Sequence, residues 1–281
     1  MHPAQVNAKV NSTGFLTSDG VRLHVLEGGV RVPGRPVIAF VPGWSMPASL
    51  WSGTLAALAI NHQVAALDPR GQGESEIPAT GYTLERRAAD IGEFVARYPQ
   101  VVLVAWSLGA LEALEYLHVN GDGAISALVI VDSSVGEGPA PPASPVPQEG
   151  RFQAELRRDR PAALDAFVRA IFHTEQREAE LAALREGALR MPLEASLALF
   201  PGSRIPREHW REIVHGFSKP LLYVVTPQFA AQSESLKMNR PATRIVLFAS
   251  AGHALFVDEP ERFSALLSEF VSGLARQAGA D

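Results

Sequence analysis

The stretch VVLVAWSLGALEAL, residues 101–114, decides the fold of this chain. Its first five residues are apolar and mostly β-branched, a pattern typical of a strand buried on both faces. From Leu108 onward, strong helix formers carry apolar residues at helical spacing. Ser107 stands between the two patterns, and the small residues Ala105 and Gly109 lie two positions to either side. The stretch therefore predicts a buried strand, a tight turn at Ser107 and a helix.

Ser107 has two interpretations at this turn. The order strand, serine, helix is that of a nucleophile elbow, here with Ala105 in place of the first glycine of G-x-S-x-G. Such a turn is strained and needs small neighbours, because the strand and the helix pack closely. It presents the hydroxyl near a helix N-terminus, where developing negative charge is stabilised. The alternative is a serine that merely caps a helix after a buried strand, which is common.

Composition narrows the class of protein. The chain has 281 residues, of which 47% are hydrophobic and 20% charged, and its net charge is −5 without any basic block. We therefore expect one globular α/β protein that does not bind nucleic acid. The absence of cysteine excludes disulfides and thiolate chemistry. Because residues 1–15 lack a signal-peptide pattern and no run of about 18 apolar residues exists, we expect a cytoplasmic protein without a membrane partner. The oligomeric state stays open.

Strand-like and helix-like segments alternate along most of the chain, which predicts an α/β fold with a mostly parallel sheet covered by helices on both faces. Strands are predicted at 21–26, 36–41, 63–67, 101–105, 127–131, 220–225 and 243–248, and helices at about 48–60, 83–98, 108–119 and 259–277. The loops at the carboxyl ends of such strands form the ligand crevice.

One region interrupts the alternation. Residues 138–149 are rich in proline, and residues 150–216 show helical segments and no convincing strand. So long a connection exceeds one crossover, so we expect residues 138–218 to form a helical cap over the sheet edge, with 1–137 and 219–281 as the core. The alternative is a set of ordinary crossover helices.

A base and oxyanion donors are the next requirements for a serine nucleophile. Of eight histidines, only His253 follows the last predicted strand in a short loop at the carboxyl edge of the sheet. A lone histidine is more often structural, but this position, combined with Ser107, favours the base. The backbone N–H groups of Leu108 and of Trp44, which follows the turn Pro42-Gly43, are the expected oxyanion donors. The alternative for Pro-Gly is a simple turn.

These pieces together resemble the α/β-hydrolases that carry a helical cap. The matching stretches are VPGWSMPASLW (41–51), LDPRGQGES (67–75), VAWSLGALEAL (104–114) and AGHALFVDEPERF (251–263). The G-W and W-S-L-G pieces are similar to the biotin-pathway carboxylesterase group in particular. The resemblance implies hydrolysis of a carboxylic ester, or a related acyl or C–C bond cleavage, without a cofactor or metal. In the loop 68–75, Gly71 and Gly73 mark a tight turn. We therefore expect Asp68 and Arg70 to form a structural ion pair with nearby backbone, and the alternative is that they are catalytic charges.

The triad acid departs from the family pattern. The family usually places it after the penultimate strand, where this chain reads YVVTPQFAAQSESLK (223–237), with no carboxylate before Glu234. Asp132 instead follows the strand after the nucleophile helix, where haloalkane dehalogenases and pancreatic-type lipases carry their acid. We expect Asp132 to orient His253. The alternatives are Glu234, a Ser–His dyad without an acid, and an Asp132 that only caps its own turn.

The leading functional prediction is a serine esterase that cleaves a carboxylic ester of a small to medium apolar substrate through an acyl-enzyme, with the catalytic triad Ser107, Asp132 and His253. Residues predicted to line the substrate pocket are Trp44, Met46, Trp106, Phe172 and Phe200. A lactonase or a C–C bond hydrolase would use the same residues. The other alternative is a non-catalytic ligand-binding or signalling member of the fold. A dehalogenase is disfavoured, since its chemistry needs an aspartate in place of Ser107.

Overall fold

The computed structural model describes residues 9–138, 150–200 and 205–278. Its centre is an eight-stranded sheet in the order β1-β2-β4-β3-β5-β6-β7-β8. The strands are β1 (Val10–Leu16), β2 (Arg22–Gly29), β3 (Val37–Val41), β4 (Gln63–Asp68), β5 (Val101–Trp106), β6 (Ile125–Val131), β7 (Leu221–Val225) and β8 (Arg244–Leu247). β1 and β2 pair antiparallel, and β3 to β8 are mutually parallel. The predicted α/β class with a mostly parallel sheet is confirmed.

Helices cover both faces of the sheet. They are α1 (Ser52–Leu58), α2 (Leu84–Val95), α3 (Leu108–Asn120), α4 (Arg151–Arg158), α5 (Arg160–Ala170), α6 (Glu178–Arg190), α7 (Leu193–Ala198), α8 (Arg207–Gly216), α9 (Ala230–Asn239), α10 (Leu255–Asp258) and α11 (Pro260–Ala278). Helices α1 and α11 belong to the hydrophobic core on one face, and α2, α3 and α9 to the core on the other. Among the described residues, no helix has both the length and the apolar character that crossing a membrane requires.

Strand β5 shows why its sequence is apolar at every position. Successive side chains of a strand point to opposite faces. Val102, Val104 and Trp106 therefore join the core that contains α1 and α11. Val101 and Leu103 join the core that contains α2 and α3. A central parallel strand covered on both faces has no solvent-facing position, so alternation of polar and apolar residues is lost.

Strand β1 was not predicted. Its residues VNSTGFL are mostly exposed, because the strand lies at the edge of the sheet and pairs only with β2, in the register Val10↔Gly28 to Leu16↔Arg22. Its pairing with β2 is a tertiary interaction, and the polar run Asn-Ser-Thr-Gly leaves little local signal for a strand.

The connection between β6 and β7 carries α4 to α8. In residues 150–200 and 205–216, which the structure describes, helices and turns occur and strands do not. The proline-rich segment 139–149 lies outside the described residues. α5 begins at Arg160 and carries Pro161 in its first turn, where the missing N–H costs no hydrogen bond. Asp159 caps the helix by accepting from the N–H of Ala162 at 3.2 Å. The insertion therefore consists of short, locally encoded helices.

Candidate active site

Ser107 occupies a strained turn between β5 and α3. Its backbone has φ 55° and ψ −125°, a combination that is costly for a residue with a side chain. The geometry leaves little room nearby, since a Cβ placed on Gly109 would lie 2.4 Å from the carbonyl oxygen of Pro42 and 2.9 Å from that of Val41. Glycine at 109 thus allows α3 to start directly against the end of β3.

Ser107, His253 and Asp132 form one hydrogen-bonded chain. Nε2 of His253 lies 2.9 Å from the Ser107 hydroxyl oxygen, and Nδ1 of His253 lies 2.7 Å from Oδ2 of Asp132. Asp132 is fully buried, whereas the His253 side chain keeps 21% of its surface exposed. A neutral imidazole with its proton on Nδ1 donates to Asp132 and accepts from Ser107. This is the geometry that a general base needs toward a nucleophile.

Asp132 follows β6 with φ 43°, in the left-handed region. Its N–H donates to the carbonyl of Val224 at 2.8 Å, and its Oδ1 accepts the N–H of Thr226 at 2.7 Å. Burial, together with the negative charge of Asp132, raises the pKa of Tyr223 well above its ordinary value. The protonated phenol donates to the carbonyl of Ser133 at 2.6 Å, which braces the Asp132 turn. Glu234 is exposed on α9 and makes no contact with His253 in the described structure.

Two contacts hold the His253 loop. The indole N–H of Trp106 donates to the carbonyl of His253 at 2.9 Å, and the two rings lie 5.1 Å apart between centroids. Trp106 is 1% exposed and supports the loop from inside the core; that it lines the substrate pocket stays a prediction. On the other side, the N–H of Ala254 donates to the carbonyl of Ile171 in the insertion at 2.7 Å.

Asp258 links the His253 loop to the insertion. Its carboxylate accepts the N–H of Gly252 at 2.8 Å, of His173 at 2.9 Å and of Thr174 at 2.8 Å. Burial alone would raise the pKa of this carboxyl, but these hydrogen bonds and that of the Thr174 hydroxyl outweigh it and lower the pKa below the ordinary value. Asp258 therefore stays ionised at neutral pH and joins two separate segments.

The turn after β3 lies beside Ser107. A Cβ on Gly43 would stand 2.9 Å from the Cβ of Ser107, closer than two such atoms normally come. Glycine at 43 therefore lets the backbone of this turn lie directly against Ser107. In the described part of the protein, the backbone amides of Trp44 and Leu108 donate to no other residue. Both amides therefore remain free to donate to a bound group.

The side chain of Trp44 packs against the insertion. Its indole N–H donates to the carbonyl of Ser196 at 2.8 Å, and its ring lies 5.0 to 5.4 Å from those of Phe152, Phe167 and Phe200. The structure thus brings the side chains of Trp44 and Phe200 into contact.

Met46 and Phe172 were also predicted to line the substrate pocket. Met46 is fully buried and belongs to the hydrophobic core on the face of α1 and α11. Phe172 lines a different groove of about 300 Å³, which it shares with Leu50, Leu184 and Val257. Neither Ser107 nor His253 lines that groove. That Met46 and Phe172 line the substrate pocket stays a prediction.

Asp68 and Arg70 are structural, but they do not pair with each other. Asp68 accepts from Nδ1 of His24 at 2.7 Å and from the amides of Ala48 and Glu74. Arg70 pairs with Asp90 at 2.6 Å and with Asp19 at 3.0 Å. Asp68 thus makes the expected contacts with the nearby backbone, and the ion pairs of Arg70 are with Asp90 and Asp19 rather than with Asp68.

A second serine–histidine–aspartate contact exists away from Ser107. Nε2 of His24 lies 2.6 Å from the hydroxyl of Ser12, and Nδ1 contacts Asp68. Ser12 lies within the exposed edge strand β1 rather than on a strained turn before a helix, so it lacks the elbow that presents a nucleophile. The described residues contain no group of three His, Asp or Glu side chains that could hold a metal ion.

Comparison with known proteins identifies the family. The alpha/beta hydrolase family matches residues 38–266. The pimeloyl-(acyl-carrier protein) methyl ester esterase of Nitrosomonas europaea is 26% identical over 239 residues, covering 81% of this chain and 92% of that protein. The same enzyme of Aeromonas hydrophila is 26% identical over 248 residues, covering 84% and 95%. The solved structure of an esterase from Exiguobacterium antarcticum, 21% identical, superposes with a TM-score of 0.79 over 92% of this chain and 99% of that one. This chain belongs to the alpha/beta hydrolase family.

Proposed function

We propose that this chain is a carboxylic ester hydrolase that uses Ser107 as its nucleophile. The observation that carries the proposal is the hydrogen-bonded chain from the Ser107 hydroxyl through His253 to Asp132, at 2.9 and 2.7 Å. The relatives named as methyl ester esterases support ester cleavage. A non-catalytic ligand-binding protein would not need this alignment on a strained turn.

In the proposed reaction, Oγ of Ser107 attacks the ester carbonyl while Nε2 of His253 takes its proton. Asp132 stabilises the imidazolium that forms. The tetrahedral intermediate collapses, the C–O bond to the alcohol breaks, and His253 returns the proton to the leaving alcohol. Water then attacks the acyl-enzyme with His253 again as base, which releases the acid and restores Ser107. The amides of Trp44 and Leu108 stabilise the oxyanion in both steps.

The insertion is proposed to act as the cap, with residues 138–218 over a core of 1–137 and 219–281. The aromatic rings of Phe152, Phe167 and Phe200 pack on Trp44, so the wall beside the proposed oxyanion donor is apolar. This favours a small to medium apolar acyl or alkyl group. A lactone presents the same carbonyl chemistry and is the second candidate substrate.

The test combines labelling and turnover. A fluorophosphonate should label the wild type at Ser107, and p-nitrophenyl esters of increasing chain length should be hydrolysed with a burst of p-nitrophenol. Ser107→Ala should lose labelling and about 10⁴-fold or more of kcat while its melting temperature is retained. Turnover close to wild type in Ser107→Ala would exclude this nucleophile, and absence of both label and burst in the wild type would favour the non-catalytic alternative. A parallel panel of lactones separates the two substrate classes.

A further inference from the structure

The turn Gly43–Met46, which carries the Trp44 amide, depends on support from elsewhere in the chain. The N–H of Met46 donates to the carbonyl of Gly43 at 3.2 Å. Ser45 adopts φ 57°, which is costly for a residue other than glycine. The buried hydroxyl of Ser45 finds no hydrogen-bond partner among the described residues. The turn's own side chains therefore do little to fix its geometry.

Gln72, in the loop after β4, holds both ends of this turn. Its side-chain nitrogen donates to the carbonyl of Gly43 at 3.0 Å and to that of Met46 at 2.8 Å. The side chain is buried. Because the two hydrogens of one amide bind the two ends, the residues between them, Trp44 included, are held in one conformation.

A buried ion pair fixes the orientation of the Gln72 amide. Arg87 on α2 donates from Nη2 to Oε1 of Gln72 at 3.0 Å, and from Nη1 to the carbonyl of Arg70 at 3.2 Å. A guanidinium only donates hydrogen bonds. If the Gln72 amide were rotated by 180°, its NH₂ group would face the Arg87 donor and no hydrogen bond could form. Arg87 in turn pairs with Glu112 on α3, with 3.0 Å between Nε and Oε1 and 3.1 Å between Nη2 and Oε2. All three side chains are buried.

We propose that Gln72 is a positioning residue for the reaction, which sets the Trp44 amide in register with the Leu108 amide at the start of α3. The contacts through Arg87 and Glu112 connect Gln72 to that same helix. The inference rests on the proposed function, because it matters only if the two amides bind an oxyanion. An oxyanion donor acts within a narrow range of distances. Buried ion pairs are often replaceable by apolar residues without loss of stability, so a geometric role accounts for this one better than stabilisation does.

Gln72→Met tests the proposal, since methionine keeps the length of the side chain and removes both donors. We expect kcat for p-nitrophenyl butyrate to fall about 10- to 100-fold, with KM changed by less than about 3-fold, because the oxyanion forms only in the transition state. Binding of a boronic acid transition-state analogue should weaken by the same factor as kcat/KM. Gln72→Glu keeps the contact with Arg87 but turns an acceptor toward two carbonyls, and should lose at least as much kcat.

Ser75→Ala is the matched control. The Ser75 hydroxyl is buried in the same loop and bonds to Asp68 and to the N–H of His24, but not to the turn. It should lower the melting temperature and retain kcat. The proposal is overturned if a folded Gln72→Met keeps kcat within about 2-fold of wild type, or if Ser75→Ala loses as much kcat as Gln72→Met. Should Gln72→Met not fold, Gln72→Glu decides by the same criterion. Failure of the proposed function is distinguished by a separate measurement: Ser107→Ala would then hydrolyse the esters as fast as the wild type.

Discussion

The backbone N–H of Thr226 donates to Oδ1 of Asp132 at 2.7 Å, joining the ends of β7 and β6. Thr226 directly follows the strand after which α/β-hydrolases usually carry their triad acid. In this chain that position supplies a hydrogen-bond donor to the carboxylate on the neighbouring strand. The second oxygen of Asp132 remains directed at Nδ1 of His253.

Asp132→Asn should lower kcat by roughly 10²- to 10⁴-fold, because an amide can favour the wrong tautomer of His253. Glu234→Gln is the matched control, since this exposed side chain on α9 has no contact with the imidazole, and it should leave kcat unchanged. Steady-state kinetics with one p-nitrophenyl ester measures both. The assignment is reversed if Glu234→Gln is the inactive variant, and activity in both variants would indicate a Ser–His dyad.

Trp106→Phe should lower kcat for all esters by about the same factor, near 10-fold, because it removes the donor to the His253 carbonyl and lets the base shift. Its effect on KM should be small. The comparison is a chain-length series of p-nitrophenyl esters. A change in chain-length preference with kcat retained would show that Trp106 lines the pocket after all.

Phe200→Ala should change the ratio of kcat/KM between long and short acyl esters by about 10-fold, the range expected for altered apolar contacts in a pocket. Phe172→Ala is the control because it makes the same substitution, and the Phe172 ring lines a groove to which neither Ser107 nor His253 contributes. Its ratio should stay within about 2-fold of wild type. If Phe172→Ala changed the kcat/KM ratio as much as Phe200→Ala, the Phe172 groove would contact the acyl chain as well.

Asp258→Asn should reduce the free energy of unfolding at pH 7 by about 1–2 kcal/mol, a value that allows for solvent screening of a partly exposed carboxylate. The folded pKa of Asp258 lies below its ordinary value of 3.8, so its contribution is present above that pH and is lost as the pH falls through the folded pKa. Urea unfolding of both proteins at several pH values checks this. The difference between them should narrow below about pH 4, and a constant difference would contradict the linkage.

The inner strands and the order of the elements could be predicted because burial on both faces leaves continuous apolar runs, as in β5. The catalytic candidates were accessible for a related reason. Ser107 and Asp132 directly follow such runs, His253 lies in the short loop after the last strand, and parallel strands bring their carboxyl ends to one edge. Strand β1 could not be predicted, because it forms only by pairing with β2 in the folded protein and its own residues are mostly polar and exposed.

Side-chain direction was the part that sequence did not reveal. Trp106 and Met46 were predicted from their sequence positions to line the pocket, and their side chains are buried in the hydrophobic core. Gln72 was missed for the opposite reason. It reaches a turn 26 to 29 residues away in sequence, and the Arg87 and Glu112 side chains that orient it come from two further helices. No local pattern marks a glutamine whose partners are backbone carbonyls.

Trp44 belongs to two parts of the molecule at once. Its backbone passes beside Ser107, while its indole is held by Ser196 and by aromatic rings of the inserted helices. The insertion is consequently not an exchangeable module. In a chimaera that receives the corresponding helices of a relative, the Trp44 indole would have different contacts. Because the indole and the backbone belong to the same residue, the Trp44 amide beside Ser107 would then change position. Grafting for a new specificity would therefore need to transplant the loop 43–46 together with the helices.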